Sequence, residues 1–224
     1  MGSLLKLRVC GNFALFTRPE LKTERVSYQV MTPSAARGVI EAILWKPAIR
    51  WRIDRIKVLK PIRWIAFRRN EVGSRASTPA LATVNQGGTA PMLLIEDDRA
   101  QRNTVALREV DYIVEAHFEM TSRAGPDDNP TKFIKMFERR LESGQHFTQP
   151  YLGCREFPAE VLPVDGETPA PISLTHDLGM MLWDLDFGAP KVRPRFFHAQ
   201  LKNGVLEVPA EPAPFDGAVQ EAGA

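Results

Sequence analysis

Alternating apolar and polar residues predict the first strands of the chain. In 5–10 (LKLRVC) the two classes alternate strictly, which predicts a half-buried strand, and the Gly-Asn pair at 11–12 predicts a turn after it. The same alternation recurs in 49–58 around Trp51, with a change of phase at 54–55, which predicts a strand with a bulge and Trp51 in the core. An unbroken alternation in 110–120 predicts a further strand.

Two segments have helical spacing. Thr32-Pro33-Ser34 predicts a helix start, because proline is favoured at the first helical position, and that helix must end before Pro47. The second helix begins near Pro130 and ends at Ser143-Gly144. On a helical wheel its phenylalanines lie opposite its lysines and arginines, so we expect the aromatic stripe in the core and the cations outside.

The C-terminal part reads as short strands separated by turns. A short strand is expected within 147–164, and two more follow, with a hairpin turn at Asn203-Gly204. Residues 73–91 have no period and are rich in small residues and proline, which predicts a loop or the tip of a hairpin.

Strand, helix and strand therefore occur twice in succession, which predicts an α+β fold. We expect a ferredoxin-like (RRM-like) N-terminal domain with a hairpin or loop insertion in 1–150. A small C-terminal antiparallel β-sheet domain is expected in 151–209, and the acidic, proline-rich residues 210–224 predict a disordered tail.

The charge is divided unevenly along the chain. Residues 1–155 carry 25 Lys and Arg against 16 Asp and Glu, a balance of +9, whereas 156–224 carry 4 against 11, a balance of −7. These add to the net charge of +2. A basic body with an acidic end favours a polyanion as the partner of the first part.

The two cysteines, Cys10 and Cys154, form no CxxC pair, so neither a zinc site nor a disulfide framework is indicated and a cytoplasmic location is expected. No apolar run reaches the roughly 18 residues that a membrane span needs. The sequence has no P-loop, dinucleotide or metalloprotease motif, and we expect no metal and no cofactor.

The segment 37–69 combines basic and aromatic residues, a mixture that suits single-stranded RNA, because arginine binds phosphates and aromatic rings stack on bases. It holds ten basic residues, opposed within the segment by only two acids. They are Arg37, Lys46, Arg50, Arg52, Arg55, Lys57, Lys60, Arg63, Arg68 and Arg69.

RNA cleavage without a metal requires a base for the 2′-hydroxyl, a cation for the charge on phosphorus and an acid for the leaving oxygen. Lys132, in the second helix, can supply the cation. His146, in the loop after that helix, is the histidine best placed for proton transfer. His117 shares a strand face with carboxylates, and a structural or solvent-facing role is favoured for it.

Several blocks of the chain carry a resemblance. They are NFALFTRPELKTERVSYQVMTPSAARGVIEAILWKPAIRW, FRRNEV, DYIVEAHFEM and GQHFTQPYLGCREFPAEV. Through them the chain resembles, over about 4–208, the type I-C (Dvulg subtype) CRISPR-associated RAMP-superfamily subunit, a family of endoribonucleases that process pre-crRNA. The resemblance implies metal-independent cleavage of the CRISPR repeat transcript and retention of the 5′ handle of the crRNA. It also implies the backbone and large subunits of the type I-C surveillance complex as partners, with double-stranded DNA as a further candidate.

Two positions depart from the family pattern. The family commonly has an aromatic or polar residue, often tyrosine, just before WKP, where this chain has Leu44. It also commonly has a Lys-His pair at the start of the second helix, where this chain has Lys132-Phe133. One hypothesis is that the protein still cleaves, with Lys132 and a substitute such as His146, Tyr28 or Lys46. The other is a non-cleaving or weakly cleaving subunit that binds the crRNA handle. A generic RNA-recognition module is disfavoured, because the usual aromatic RNA-binding strand is missing.

The candidate site follows from these patterns and the resemblance together. The catalytic candidates are Lys132 and His146. The RNA-binding candidates are Arg37, Trp45, Lys46, Arg68, Arg69, Lys135, Arg139, Arg140 and Arg155.

Overall fold

The computed structural model describes residues 4–74, 85–88, 94–164, 166, 169–186 and 192–212. Within them the strands are β1 (Leu5–Ala14), β2 (Arg25–Val26), β3 (Ile49–Val58), β4 (Trp64–Val72), β5 (Arg99–Met120), β6 (Glu160–Pro163), β7 (His176–Asp186), β8 (Arg193–Lys202) and β9 (Val205–Glu207). The helices are α1 (Pro33–Ile43) and α2 (Pro130–Glu142). Most of the predicted loop at 73–91, and the predicted tail from residue 213 onward, lie outside the described residues.

The strands form one sheet in the order β6-β1-β5-β3-β9-β8-β7, and neighbours in this order run antiparallel. β4 pairs with the first half of the long strand β5 and forms a hairpin arm with it. The predicted α+β class is confirmed. The C-terminal strands are antiparallel, as expected, but they do not form a sheet of their own, because β9 hydrogen-bonds to β3 and continues the main sheet.

Both helices begin and end where the sequence signals predict. The Thr32 hydroxyl accepts the Ala35 N–H at the start of α1, and the Asn129 side chain accepts the Lys132 N–H at the start of α2. Each helix has proline in its first turn. These caps satisfy backbone donors that the helices leave unpaired.

The predicted turn at Gly11-Asn12 is wrong, because β1 runs straight through it and Gly11 pairs with Val110. A Cβ atom on Gly11 would lie 2.5 Å from Leu152 Cδ1 and 3.1 Å from the Pro158 carbonyl oxygen. Glycine here lets the segment that contains Leu152 and Pro158 approach the strand closely. A glycine inside a strand can mark such an approach, so it does not have to mark a turn.

Two other local predictions are confirmed. The β3 register shifts between Ile53 and Arg55, which is the expected bulge. The β8–β9 hairpin turns at Asn203 and Gly204, with φ of 49° and 74°. Both values lie in the left-handed region that two-residue hairpin turns require.

An aromatic cluster joins the helices to one face of the sheet. The Trp51 ring lies 5.2 Å from Phe118 and 5.0 Å from Phe137, and Phe118 lies 6.2 Å from Phe133, measured between ring centroids. Trp51 is buried, as predicted, and its indole N–H donates to the Leu44 carbonyl at 2.8 Å. The cluster fixes α2 against β3 and β5, so the cations of α2 face outward.

Candidate nucleic-acid interface

A cleft of about 680 Å³ opens beside the end of α1. The start of β3, the loop after β5 and the C-terminal strands form its walls, and three of the RNA-binding candidates line it, namely Arg37, Trp45 and Lys46. Arg50 and Arg123 also line the cleft, are exposed, and have no ion pair among the described residues. Arg123 was not selected from the sequence, because it stands alone in a loop outside the basic segment.

Arg37 is a structural residue. Its Nε and Nη2 atoms donate to the Asp184 carboxylate at 2.8 and 2.7 Å, and its Nη1 atom donates to Glu41 at 2.7 Å. All three nitrogens of the guanidinium are used: two join α1 to β7 through Asp184, and the third bonds Glu41 within α1. The prediction that Arg37 is available to RNA is therefore not supported by its contacts.

The basic segment 37–69 is also less free than its sequence indicates. Although only two acids lie within the segment itself, acids from distant parts of the chain pair with six of its ten cations. The pairs are Arg37–Asp184, Arg52–Glu119, Arg55–Glu207, Lys57–Glu115, Arg63–Glu109 and Arg69–Glu156. In the part of the chain that the structure describes, Lys46, Arg50, Lys60 and Arg68 have no ion pair.

The sheet face opposite the helices carries a balanced set of charges. Asp111 accepts two hydrogen bonds from Arg8, at 2.9 and 2.7 Å. Glu115 is buried and lies 2.7 Å from Lys57 and 3.6 Å from Lys6. Burial opposes its ionisation, but the hydrogen bond from Lys57 and the surrounding cations outweigh burial and lower the pKa of Glu115. On β1, β3 and β5 this face pairs its own charges and carries no Phe, Tyr or Trp that could stack on a base, in contrast to an RNA-recognition sheet.

His117 belongs to the same face. Its Nδ1 atom lies 2.9 Å from both carboxylate oxygens of Asp54, at the β3 bulge. The Asp54–His117 pair ties the bulge to β5, in agreement with the structural role favoured from the sequence.

Lys132, in the first turn of α2, forms an ion pair with an acid that precedes the helix. The Lys132 side chain is 43% exposed, and its ammonium lies 2.9 Å from Asp128. The hydrogen bond from Lys132, the N–H of Gly125 and the charges of Lys132 and Lys46 lower the pKa of Asp128. Asp128 is not among the candidates predicted from the sequence, although its spacing of four residues from Lys132 indicates an ion pair.

His146 is exposed, but it follows the opposite end of α2. The ten residue-to-residue steps from Lys132 to Glu142 span about 15 Å at the helical rise. The charges of Lys132 and Lys46 both act on the Asp128 carboxylate, whereas His146 follows the far end of the helix.

The remaining positions of the cleavage hypothesis are buried. Leu44 and Phe133 both belong to the core, and Phe133 is only 3% exposed. Tyr28 is buried as well, and that burial raises the pKa of its phenol. Leu44 and Phe133 therefore supply no group that can transfer a proton. Tyr28 is too deeply buried to contact an RNA bound at the surface.

The other RNA-binding candidates divide into two groups. Arg69 is held between the Phe67 and Phe157 rings, and Arg140 donates to the Ile43 carbonyl at 2.7 Å, so both are structural. The exposed candidates are Trp45, Lys46, Arg68, Lys135, Arg139 and Arg155.

No group of three or more His, Cys, Asp or Glu side chains among the described residues could hold a metal ion. No helix in this part of the chain is long and apolar enough to cross a membrane.

A family model of CRISPR-associated proteins, Cas_Cas5d, described as CRISPR-associated protein (Cas_Cas5), matches residues 4–209. The chain belongs to this Cas5d family. The resemblance inferred from the sequence blocks is thus confirmed.

Two curated members of the Cas5d family are similar over nearly the whole chain, and each is named CRISPR pre-crRNA endoribonuclease Cas5d. The protein from Mannheimia succiniciproducens is 50% identical over 217 residues, which cover 93% of this chain and 96% of that protein. The protein from Thermus thermophilus is 45% identical over 225 residues, which cover 92% of each.

Solved structures share the fold. One described as the crystal structure of a CRISPR-associated protein has a TM-score of 0.68 and 24% identity, and the match covers 93% of each chain. A chain of a CRISPR RNA-guided surveillance complex has a TM-score of 0.52 and 15% identity, over 93% of this chain and 92% of that one. At these identities the likeness extends to the fold alone.

Proposed function

We propose that this protein processes CRISPR repeat RNA by endoribonucleolytic cleavage and then stays on the crRNA as a subunit of a surveillance complex. The observation that carries the proposal is the 45–50% identity, over more than nine-tenths of the chain, to two proteins named pre-crRNA endoribonucleases. The exposed cations at the cleft and on α2 supply the surface that such an RNA requires.

In the cleavage step, the 2′-oxygen of a ribose attacks the adjacent phosphorus while the bond from phosphorus to the 5′-oxygen breaks. The 2′-hydroxyl loses a proton, the leaving oxygen gains one, and negative charge accumulates on the phosphoryl oxygens. An ammonium group beside those oxygens stabilises the transition state more than the ground state. We assign this role to Lys132, with Lys46 as the second cation.

Proton transfer is the weaker part of the site, because Leu44 and Phe133 are apolar and buried. A positioned acid or base contributes typically 10²–10⁴-fold, so cleavage by Lys132 and Lys46 alone would be slow. His146 stays the candidate for the missing group, since it is exposed. A subunit that binds the crRNA handle and cleaves weakly is the second candidate function, and the two buried apolar residues are the observation that favours it.

The test is single-turnover cleavage of the cognate repeat RNA, in EDTA, with protein in saturating excess. Lys132→Ala is expected to lower the cleavage rate about 10²-fold or more, because it removes the cation from the transition state. His146→Ala measures whether the histidine contributes. Lys202→Ala, at the β8–β9 turn, makes the same change in net charge and should leave the rate unaltered.

A discrete product that persists in EDTA and disappears with Lys132→Ala supports metal-independent cleavage by this site. Tight binding by the wild-type protein without any product favours the handle-binding subunit. A product that requires added Mg²⁺ contradicts the proposed chemistry.

The finer assignments belong to the same proposal. The order β6-β1-β5-β3, with α1 and α2 on one face, supports a ferredoxin-like domain. Its strands β1, β3 and β5 lie in the proposed domain of 1–150, whereas β6 (Glu160–Pro163) lies inside the stretch 151–209 proposed for the smaller unit. The two free cysteines, Cys10 and Cys154, support a cytoplasmic location. Backbone and large subunits are the proposed protein partners, and binding of double-stranded DNA stays a prediction.

A further inference from the structure

The end of α1 is held rigidly by groups that come from elsewhere in the chain. The Ala42 carbonyl accepts the Phe147 N–H at 2.7 Å, and the Ile43 carbonyl accepts Arg140 Nη1 at 2.7 Å. Carbonyls at a helix end otherwise have no intrahelical partner, so these bonds fix the end of the helix and the loop after α2 to each other. We call this meeting point, residues 42–46 with 146–147, the α1 junction.

Two large aromatic side chains point from the α1 junction into solvent. Trp45 is 60% exposed and Phe147 is 88% exposed, although the backbone of Phe147 is anchored. Neither ring contacts another aromatic ring among the described residues. An exposed ring on an anchored backbone is preorganised for binding. The backbone is already ordered before a ligand binds, so that part of the conformational entropy is not lost on binding.

Two exposed cations flank these rings, one in the chain and one on the neighbouring helix. Lys46 follows Trp45 directly, and Arg139 lies on the exposed face of α2 near the end from which the loop leads to Phe147. Within the described residues Lys46 and Arg139 have no ion pair. A partner that covers the rings must also neutralise these cations, and RNA does both, with its bases and its phosphates. An apolar protein surface would leave the cations unpaired and desolvated.

We propose that Phe147, together with Trp45, forms a stacking platform that holds unpaired bases of the bound RNA at the α1 junction, while Lys46 and Arg139 contact the adjoining phosphates. The inference rests on the proposed function, because it names how the same RNA is held. It gives Phe147 a role that no sequence motif indicated.

The experiment measures the affinity of the full-length protein for the repeat RNA over a series of salt concentrations. Phe147→Ala and Phe147→Leu should weaken binding about 5- to 150-fold, the range expected for loss of a base stack. Phe147→Trp should keep the affinity within about threefold, because it keeps an aromatic face. The slope of log affinity against log salt should stay constant, since no phosphate contact is lost. Met180→Ala, an exposed apolar residue on β7, is the matched control.

A second arm uses RNAs that each lack one base at an unpaired position. At the stacked position, removal of the base should weaken binding by the wild-type protein as much as Phe147→Ala does, and should have no further effect on that variant. Unchanged affinity of the Ala and Leu variants, beside tight binding by the wild-type protein, overturns the inference and leaves the proposed function intact. The inference is also overturned if the Phe147 variants bind RNA normally but fail to assemble with other subunits, which would identify a protein-binding surface. A wild-type protein that does not bind the RNA overturns both.

Discussion

Neighbouring arginines in this protein have opposite environments. Arg68 is exposed on β4, whereas the Arg69 side chain is 10% exposed, lies against the Phe67 and Phe157 rings and pairs with Glu156. The alternation of a strand places adjacent side chains on opposite faces, so one arginine points to solvent and the other packs. Residue type alone therefore does not identify an RNA contact.

This difference gives a prediction at the residue scale. Arg69→Ala should lower the free energy of unfolding by about 2 kcal/mol, because it removes the guanidinium between two rings together with its packing stem. Arg68→Ala should change it by less than about 0.5 kcal/mol and should instead weaken RNA binding. Urea unfolding and RNA titration of both variants check the pair. Equal stability losses would mean that Arg69 is not a packing residue.

At the scale of elements, α2 serves the fold and the interface with different faces. Its phenylalanines enter the core, Arg140 reaches across to cap α1, and Lys132, Lys135 and Arg139 face outward. The helical period makes this division possible, because side chains three or four positions apart share a face. A helix that is fixed on one side can therefore present cations at set positions on the other.

Arg140 and Arg139 supply the test at this scale. Arg140→Ala should destabilise the protein by about 1–3 kcal/mol, because the Ile43 carbonyl loses its partner. Arg139→Ala should leave stability nearly unchanged, weaken RNA binding and reduce its salt dependence, because one phosphate contact is lost. Thermal unfolding and salt-dependent titration separate the two effects. An Arg140→Ala protein of unaltered stability would contradict the capping role.

At the scale of the whole molecule, the two faces of the sheet are closed in different ways. The helices and the aromatic cluster cover one face, and ion pairs between strands cover the other. Most cations on the second face are paired with acids of the same face. The exposed cations without an ion pair among the described residues therefore lie at the cleft, on the β4–β5 arm and on α2. The proposed RNA path therefore follows the edges and the helical layer.

Glu115 is the acid on which the charged face depends most. Glu115→Gln should lower the free energy of unfolding by roughly 2–4 kcal/mol at pH 7, because Lys57, Lys6 and Arg55 lose their common counter-ion. The pKa of Glu115 is below its ordinary value of about 4.3, so this stabilisation is present above that pH and is lost as the pH falls through the folded pKa. Denaturation of both proteins at pH 7 and near pH 3 measures it.

The difference in stability should be large at pH 7 and small near pH 3. Glu119→Gln is the control, since the Glu119 side chain is about half exposed and its salt bridge to Arg52 should contribute less than about 1 kcal/mol. A difference that is the same at both pH values would show that Glu115 stabilises the fold by something other than its charge.

Local patterns in the sequence were sufficient for the helices, their caps, the β3 bulge and the Asn203-Gly204 turn, because each depends on residues a few positions apart. The family also followed from the sequence, and with it the choice of Lys132 as the catalytic candidate and the two apolar departures at Leu44 and Phe133. The aromatic stripe of α2 was placed correctly for the same reason, since helical spacing decides it.

What only the tertiary structure decided depends on residues that are distant in the chain. The ion partners of Arg37 and Arg69 lie 147 and 87 positions away, so the sequence overstated the free positive charge. Gly11 lies in a continuous strand, where it makes room for Leu152, and not in the turn that its local sequence predicts. The C-terminal strands belong to the main sheet because β9 pairs with β3. Folding brings such groups together through strand register and the packing of loops on helices, which no local pattern encodes. The same long-range packing leaves Phe147 uncovered and buries Tyr28.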